Sequence, residues 1–292
     1  MSAGEGVSAT TSFLGSSRPK FLKSSRPEPL AYTKRTVIRL VVAVNVVFLY
    51  LPLLTLVIFS FNDSKRNIVW RGFTLKYYER ALENEQLVEA FANTLVVALI
   101  ATAVATVLGT ALGIGLHRFR FPAKGLYDAW AHLPIMIPEV CMGVALLVFF
   151  ALIDLPLSLV TVTISHITFC LPFVAVVVRA RAATLDPSYE EAAYDLGASR
   201  TETLWFVTLP QLVPGIVAGA LLAMTVSLDD FVITFFTGGP GSTTFPVQVY
   251  SMIKFSMTPE VNAASTVLIA LTVMIIVTAL VVMSRGAKEE GR

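Results

Sequence analysis

Six stretches of this chain stay apolar for as long as a helix needs to cross a bilayer, and that repetition constrains the fold more than any other feature. They cover residues 40–61, 95–116, 130–153, 157–178, 212–236 and 265–283. About 20 mainly apolar residues in helical form span the roughly 30 Å hydrocarbon layer. Inside that layer every backbone N–H and C=O must find a partner within the protein, which leaves only helices and closed barrels. The runs are apolar on all faces and lack the alternation of barrel strands, so the expected fold is all-α, a polytopic membrane protein with six transmembrane helices. Composition agrees, with 55% of the residues hydrophobic and 14% charged; a soluble domain carries about 45–50% and about 25%. These proportions argue against a soluble enzyme.

Lys and Arg number 22 against 20 Asp and Glu, a net charge of +2, so no excess is available for a polyanion and nucleic acid is not an expected partner. Their placement is informative instead. Sixteen lie before the first span, after the second, after the fourth or at the C-terminus, and six lie in the intervening segments. Positive residues beside spans are retained in the cytoplasm, so both termini are expected on the cytoplasmic side of the membrane. Residues 1–36 are rich in Ser, Gly, Pro and basic residues and read as a flexible cytoplasmic tail. The first apolar run starts near residue 40 and is too long for a secretory signal, so it reads as a retained anchor. Residues 37–286 then form one membrane domain, followed by a short cytoplasmic tail over 287–292. Cys141 and Cys170 sit in apolar runs without metal-ligand spacing and are expected to be small core residues. His132 and His166, also in spans, read as satisfied packing residues. Gly109-x-x-x-Gly113 and Gly215-x-x-x-Gly219 allow close helix contacts.

The most sharply specified loop covers residues 184–210 and reads as two short helices. Asp186 is placed to cap the first, Pro187 suits its first helical position, and Gly197 can take the left-handed conformation that closes it. Ser199 and Glu202 form a capping box for the second, which Pro210 is expected to stop. Ala192, Ala193 and Leu196 fall on one side of the first helix, while Glu190, Glu191 and Asp195 offer acidic contacts.

Glu191-Ala192-Ala193, three residues, Gly197, nine residues, then Val207-x-Leu209-Pro210 resembles the EAA loop of ABC importer permeases, with Val in place of Ile. The likeness extends over nearly all of the chain beyond the tail. Gly72 to Tyr78, Asn93 to Ala98, Leu133 to Val140, Ser227 to Phe231 and Phe245 to Ser251 are similar to the spermidine/putrescine (PotC/PotI-like) branch of the type I importer family. Phe245 stands where that branch commonly has Leu. The resemblance implies a type I, MetI-like permease fold in which Tyr189, Glu190, Glu191, Ala192, Ala193, Asp195, Leu196 and Gly197 form a helix that docks on an ATPase. The other reading of this segment is a plain helical connector held by its caps.

Ionisable groups inside spans are costly and therefore candidates for function. Glu139 follows Pro134 and Pro138, which interrupt the third span. Asp229 and Asp230 lie in the fifth span ahead of the turn from Gly238 to Gly241. Together the three carboxylates could line a translocation path for a cation; alternatively they cap broken helices or pair with neighbouring polar groups.

No G-x-x-x-x-G-K-[ST] segment occurs, so ATP and Mg are expected on a partner ATPase, with no cofactor or metal bound by this chain. The resemblance implies a second permease subunit in a heterodimer, two ATP-binding subunits and an extracytoplasmic substrate-binding protein, around an inner-membrane path for a polyamine or related cation. The segment 62–94, with five basic and five acidic residues, is a candidate docking surface for the binding protein or a solvated connection. An ion- or proton-coupled secondary transporter using intramembrane carboxylates, and a membrane-embedded enzyme, are the rival readings.

Overall fold

The computed structural model describes residues 35–64, 69–255 and 259–289. The tail expected over residues 1–36 lies, apart from its last two residues, outside the described residues, as do Lys65, Arg66 and the final three residues. Among the described residues the fold is all-helical, with a single isolated bridge between Asn62 and Phe73.

The chain divides into two units, residues 1–53 and 54–292. The first contains most of α1 (Arg35–Phe59). Asn45, in the middle of that apolar helix, donates its side-chain amide to the Val41 carbonyl at 2.8 Å, so the polar group is satisfied within its own helix.

In the second unit, α3 (Glu85–Arg118), α6 (Leu159–Ala182) and α9 (Leu209–Asp229) pack together at the centre. Their glycines set how close they come. A Cβ on Gly109 would lie 2.7 Å from the Val174 Cβ and 2.8 Å from the Leu171 carbonyl oxygen, and one on Gly219 would lie 3.2 Å from the Val174 Cα. Val174 of α6 is thus held between bare backbone of α3 and of α9. Ala105, Cys170, Val178 and Ala223 complete the buried cluster around it. Small residues at helix contacts suit a membrane, where association relies on dispersion contacts instead of expulsion of water. Cys170 is the small core residue expected, but Cys141 is exposed on this chain.

Two of the six apolar stretches are interrupted by a helix break. The third is a pair of helices, α4 (Lys124–Met136) and α5 (Glu139–Leu152), bent by 107°. Ile137 is extended at φ −75° and ψ 133° because Pro138 disfavours the helical region for the residue before it. The fifth span ends α9 at Asp229, turns through an extended Asp230, and resumes as α10 (Val232–Thr237). Five helices are long and apolar enough to cross a membrane, among them the one that runs from Arg200 to Asp229 ahead of the second break, and the count is six if the bent pair is taken as one span.

Pro210 does not stop the second helix of the 184–210 loop. Helix α8 (Arg200–Thr203) passes through a π-helical turn, Leu204–Thr208, straight into α9. Leu209 N–H bonds the Leu204 carbonyl five residues back. The widened turn relieves the clash of the Pro210 ring with the preceding turn, so the proline falls at a tolerated position near the start of α9.

At its N-terminal end, α3 is tied to the turn before α11 (Phe245–Phe255). Asn93 donates to the Gly241 and Thr243 carbonyls at 3.2 and 3.1 Å, and the Thr94 hydroxyl accepts from Phe245 N–H at 2.7 Å. Phe245 packs there with Leu87 and with Ala264 of α12 (Pro259–Glu289). Tyr77, buried in α2 (Lys76–Glu83), precedes Tyr78, whose hydroxyl meets that of Ser60 at 2.7 Å.

Gly109→Ala is expected to lower stability by about 1–3 kcal/mol, the usual cost of overpacking, whereas Gly115→Ala, with nothing within 4 Å of the added carbon, should be neutral or mildly stabilising. Thermal unfolding of the two variants in the same detergent checks the contrast.

Candidate functional site

Two places in the fold gather the candidate residues. The first is the loop helix α7 (Ser188–Asp195). The Asp186 carboxylate accepts from Ser188 N–H at 2.9 Å, Pro187 is already helical, and Gly197 closes the helix at φ +88°. Glu202 accepts from Ser199 N–H at 2.7 Å, and the Ser199 hydroxyl accepts from Glu202 N–H at 3.3 Å. The N–H bonds they accept hold the Asp186 and Glu202 carboxyls below their usual range. Every cap read from the sequence is therefore formed.

Tyr189, Glu191, Ala192, Asp195, Leu196 and Gly197 are exposed, and Ala193 is half-buried. Leu196, in the turn that follows, is 89% exposed. Glu190 behaves differently. Its carboxylate turns back into the chain, 2.9 Å from the Arg118 guanidinium at the end of α3, and accepts from the Thr208 hydroxyl at 2.6 Å. Arg118 also donates to the Tyr194 hydroxyl at 2.9 Å. A cavity of about 270 Å3 opens beside this cluster, bordered by His117, Arg118, Tyr189, Glu190 and Gln211. Arg118 and Thr208 were not legible as site residues: the first counted only towards the positive bias beside a span, and the π-turn that aims the second leaves no sequence signal.

The second place lies at the two helix breaks. Glu139 opens α5, where the unpaired N–H groups of the first turn favour a negative charge. Asp229 closes α9. Both are exposed on this chain and lie close enough to interact electrostatically. Helix α5 reaches this position by packing on α10; a Cβ on Gly143 would meet the Phe236 ring at 2.8 Å.

Asp230 adjoins Asp229 and also acts on it electrostatically, but does not share its exposure. It is buried, and its carboxylate caps α10, accepting from Ile233 N–H at 3.2 Å and from Thr234 N–H at 3.0 Å. His166 of α6 stands 3.3 Å from the same carboxylate and bonds the Ser227 and Thr234 hydroxyls at 2.7 and 2.9 Å. Of the two readings of Asp230, cap of a broken helix is the one the geometry supports. His166 is a satisfied interior residue as expected, but its role in joining α6, α9 and α10 was not legible. His132 bonds the Asp128 carbonyl at 2.7 Å. Among the described residues no group of His, Cys, Asp and Glu is arranged to hold a metal ion.

Apolar helices, two of them ending at breaks beside exposed carboxylates, together with a capped loop helix, are the features of a membrane transport subunit. The chain belongs to the family described as binding-protein-dependent transport system inner membrane component, whose model matches residues 105–285. It is 37% identical over 230 residues to the spermidine/putrescine transport system permease protein PotC of Escherichia coli, covering 79% of this chain and 87% of that protein. It is 36% identical over 252 residues to the putrescine transport system permease protein PotI of the same organism, covering 84% and 90%. Among solved structures, a bacterial ABC transporter involved in the import of the acidic polysaccharide alginate shares the fold, with a TM-score of 0.68, 17% identity and coverage of 86% of this chain and 94% of that one. The inward-facing MetNI methionine ABC transporter does so at a TM-score of 0.57 and 17% identity, covering 73% and 99%. The chain is a multi-pass permease subunit of an ABC importer of the inner membrane, and ATP hydrolysis resides in a separate subunit. The secondary-transporter and membrane-enzyme readings give way to this family assignment.

His166→Phe and Asp230→Asn each leave buried polar partners unmatched and are expected to cost about 1–3 kcal/mol. Because the two groups share one network, the double variant should lose less than the sum of the single losses, as read from unfolding midpoints.

Proposed function

We propose that this permease forms part of the path for a polyamine such as spermidine or putrescine, or a related cation, and moves it by alternating access coupled to a separate ATPase. The observation that carries the substrate class is the pair Glu139 and Asp229. They are two exposed carboxylates at two helix breaks in an otherwise apolar region, near enough to present one negative field. A flexible dication or trication can meet both at once, and the names of the 36–37% identical relatives point to the same class. Asp230 supports the path indirectly, by holding the break that leaves Asp229 exposed.

The surface of α7 and of the turn after it, formed by the exposed Tyr189, Glu191, Ala192, Asp195, Leu196 and Gly197 with the half-buried Ala193, is the docking face for the ATPase, which binds ATP and Mg; this chain binds neither. Small residues there permit close approach, and the exposed Leu196 supplies an apolar contact. Arg118, Arg179, Arg181 and Arg200 lie in the helix-end segments around α7, which supports a cytoplasmic position for it and for both termini. A second permease subunit, as a heterodimer, two ATPase subunits and an extracytoplasmic binding protein complete the importer. Asp63, Glu79, Glu83, Glu85 and Glu89 are all exposed on the opposite connection and suit the binding-protein contact.

Glu139→Gln or Asp229→Asn should raise the KM for uptake of a polyamine about tenfold, the loss of about 1.4 kcal/mol, in complexes that still assemble. Unchanged KM in both variants removes the pair from the path. Gly197→Val, forced into a left-handed conformation, should leave assembly possible but disconnect hydrolysis from uptake. Stimulation of ATP hydrolysis in the purified importer, measured across amines, inorganic ions and neutral solutes, tests the substrate class; a response to sulfate or a sugar with none to any amine refutes it.

A further inference from the structure

Helix α7 has no fully buried side chain. It therefore has no core of its own through which a push could reach the spans, and it is joined to them by the short segment before Pro187 and by the Gly197 turn. The contact that binds it laterally is Glu190. Arg118 Nη1 donates to Glu190 Oε1 at 3.2 Å, and Arg118 Nη2 stands 2.9 Å from Glu190 Oε2, a two-pronged pairing. Thr208 Oγ1 donates to Glu190 Oε1 at 2.6 Å, and Arg118 Nη2 also donates to the Tyr194 hydroxyl at 2.9 Å.

Resting on the docking role proposed for α7, we propose that Arg118, Glu190 and Thr208 form a coupling node that makes α7 move as one body with the last turn of α3 and the π-turn that opens α9. These are positioning residues, acting through the helix they hold. The node joins three separate elements at one carboxylate. The guanidinium and the carboxylate are 26% and 31% exposed, where a lone ion pair contributes little; two-pronged geometry within a network is the exception. The π-turn has a reason to exist here. Its extra residue rotates the next helical turn relative to a regular helix and leaves Thr208, buried at its end, aimed at Glu190. From the node the path continues without slack: α3 and α9 are the two helices that close on Val174 through Gly109 and Gly219. A displacement of α7 thereby reaches both walls of the packed centre together, and such a centre shifts between discrete arrangements instead of deforming smoothly.

The test uses the full importer in lipid, with spin labels at Ser188→Cys on α7, outside the proposed docking face, and Arg120→Cys after α3, in a background lacking the native cysteines. With Arg118 present, the label separation should keep its centre and width between the nucleotide-free and ATP-bound states. Arg118→Ala, Glu190→Gln and Thr208→Val should each broaden the distribution about twofold or shift its centre on ATP binding, and the exchange Arg118→Glu with Glu190→Arg should restore the narrow distribution. A distribution as narrow in Arg118→Ala and Glu190→Gln as in the parent, or an exchange no better than the single variants, overturns the proposal. A cross-link from Leu196→Cys to the ATPase subunit separates the two levels. If it fails to form, the docking role of α7 itself is wrong; if it forms while the distances ignore Arg118, only the node is wrong.

Discussion

At membrane depth, a backbone group released from a helix must find another partner inside the protein, and the way this chain meets that requirement shapes the rest of its structure. It interrupts two of its apolar stretches. At the end of α9, Asp230 accepts the first free N–H groups of α10, and His166 reaches across from α6 to support the same carboxylate. At Ile137 the break follows from the stereochemistry of the residue before Pro138, and Glu139 stands where the new helix presents its unpaired donors. Each break thus leaves a carboxylate exposed, Glu139 at the first and Asp229 at the second. The cation path proposed above would run past the same breaks.

The centre around Val174 has the opposite character. It is built from small residues and bare glycine backbone, with Gly109 and Gly219 leaving no room for a further carbon without displacement. That density leaves α3, α6 and α9 little room to deform smoothly against one another. Force delivered to a loosely packed bundle would be absorbed by local repacking; delivered to this one it is passed on.

An importer permease has to expose the surface that receives that force. Helix α7, for which that role is proposed, is fixed without help from a core, by the Asp186 bond at its start and the Gly197 turn after its end. The chain contributes spans, breaks and a capped loop helix, while the hydrolysis of ATP belongs to a separate subunit.

Much of this was legible in the sequence, and for identifiable reasons. Span length and apolarity, the caps at Asp186, Gly197, Ser199 and Glu202, and the glycine pairs are local or periodic features, set by backbone geometry and by the solvent around the helix. Their physics acts over a few residues, so a one-dimensional reading captures it, and the EAA pattern carried the family with it. The sequence by itself therefore determined that this is an all-helical membrane chain with a sharply capped loop helix. What only the tertiary structure decided were partnerships between distant residues: that Asp230 turns inward to His166 while Asp229 stays out, that Glu190 faces Arg118 instead of solvent, that Cys141 is exposed, and that a π-turn carries the helix past Pro210. In each case a side chain had two chemically acceptable environments, and the choice was made by what the packing of another helix brought within hydrogen-bond reach.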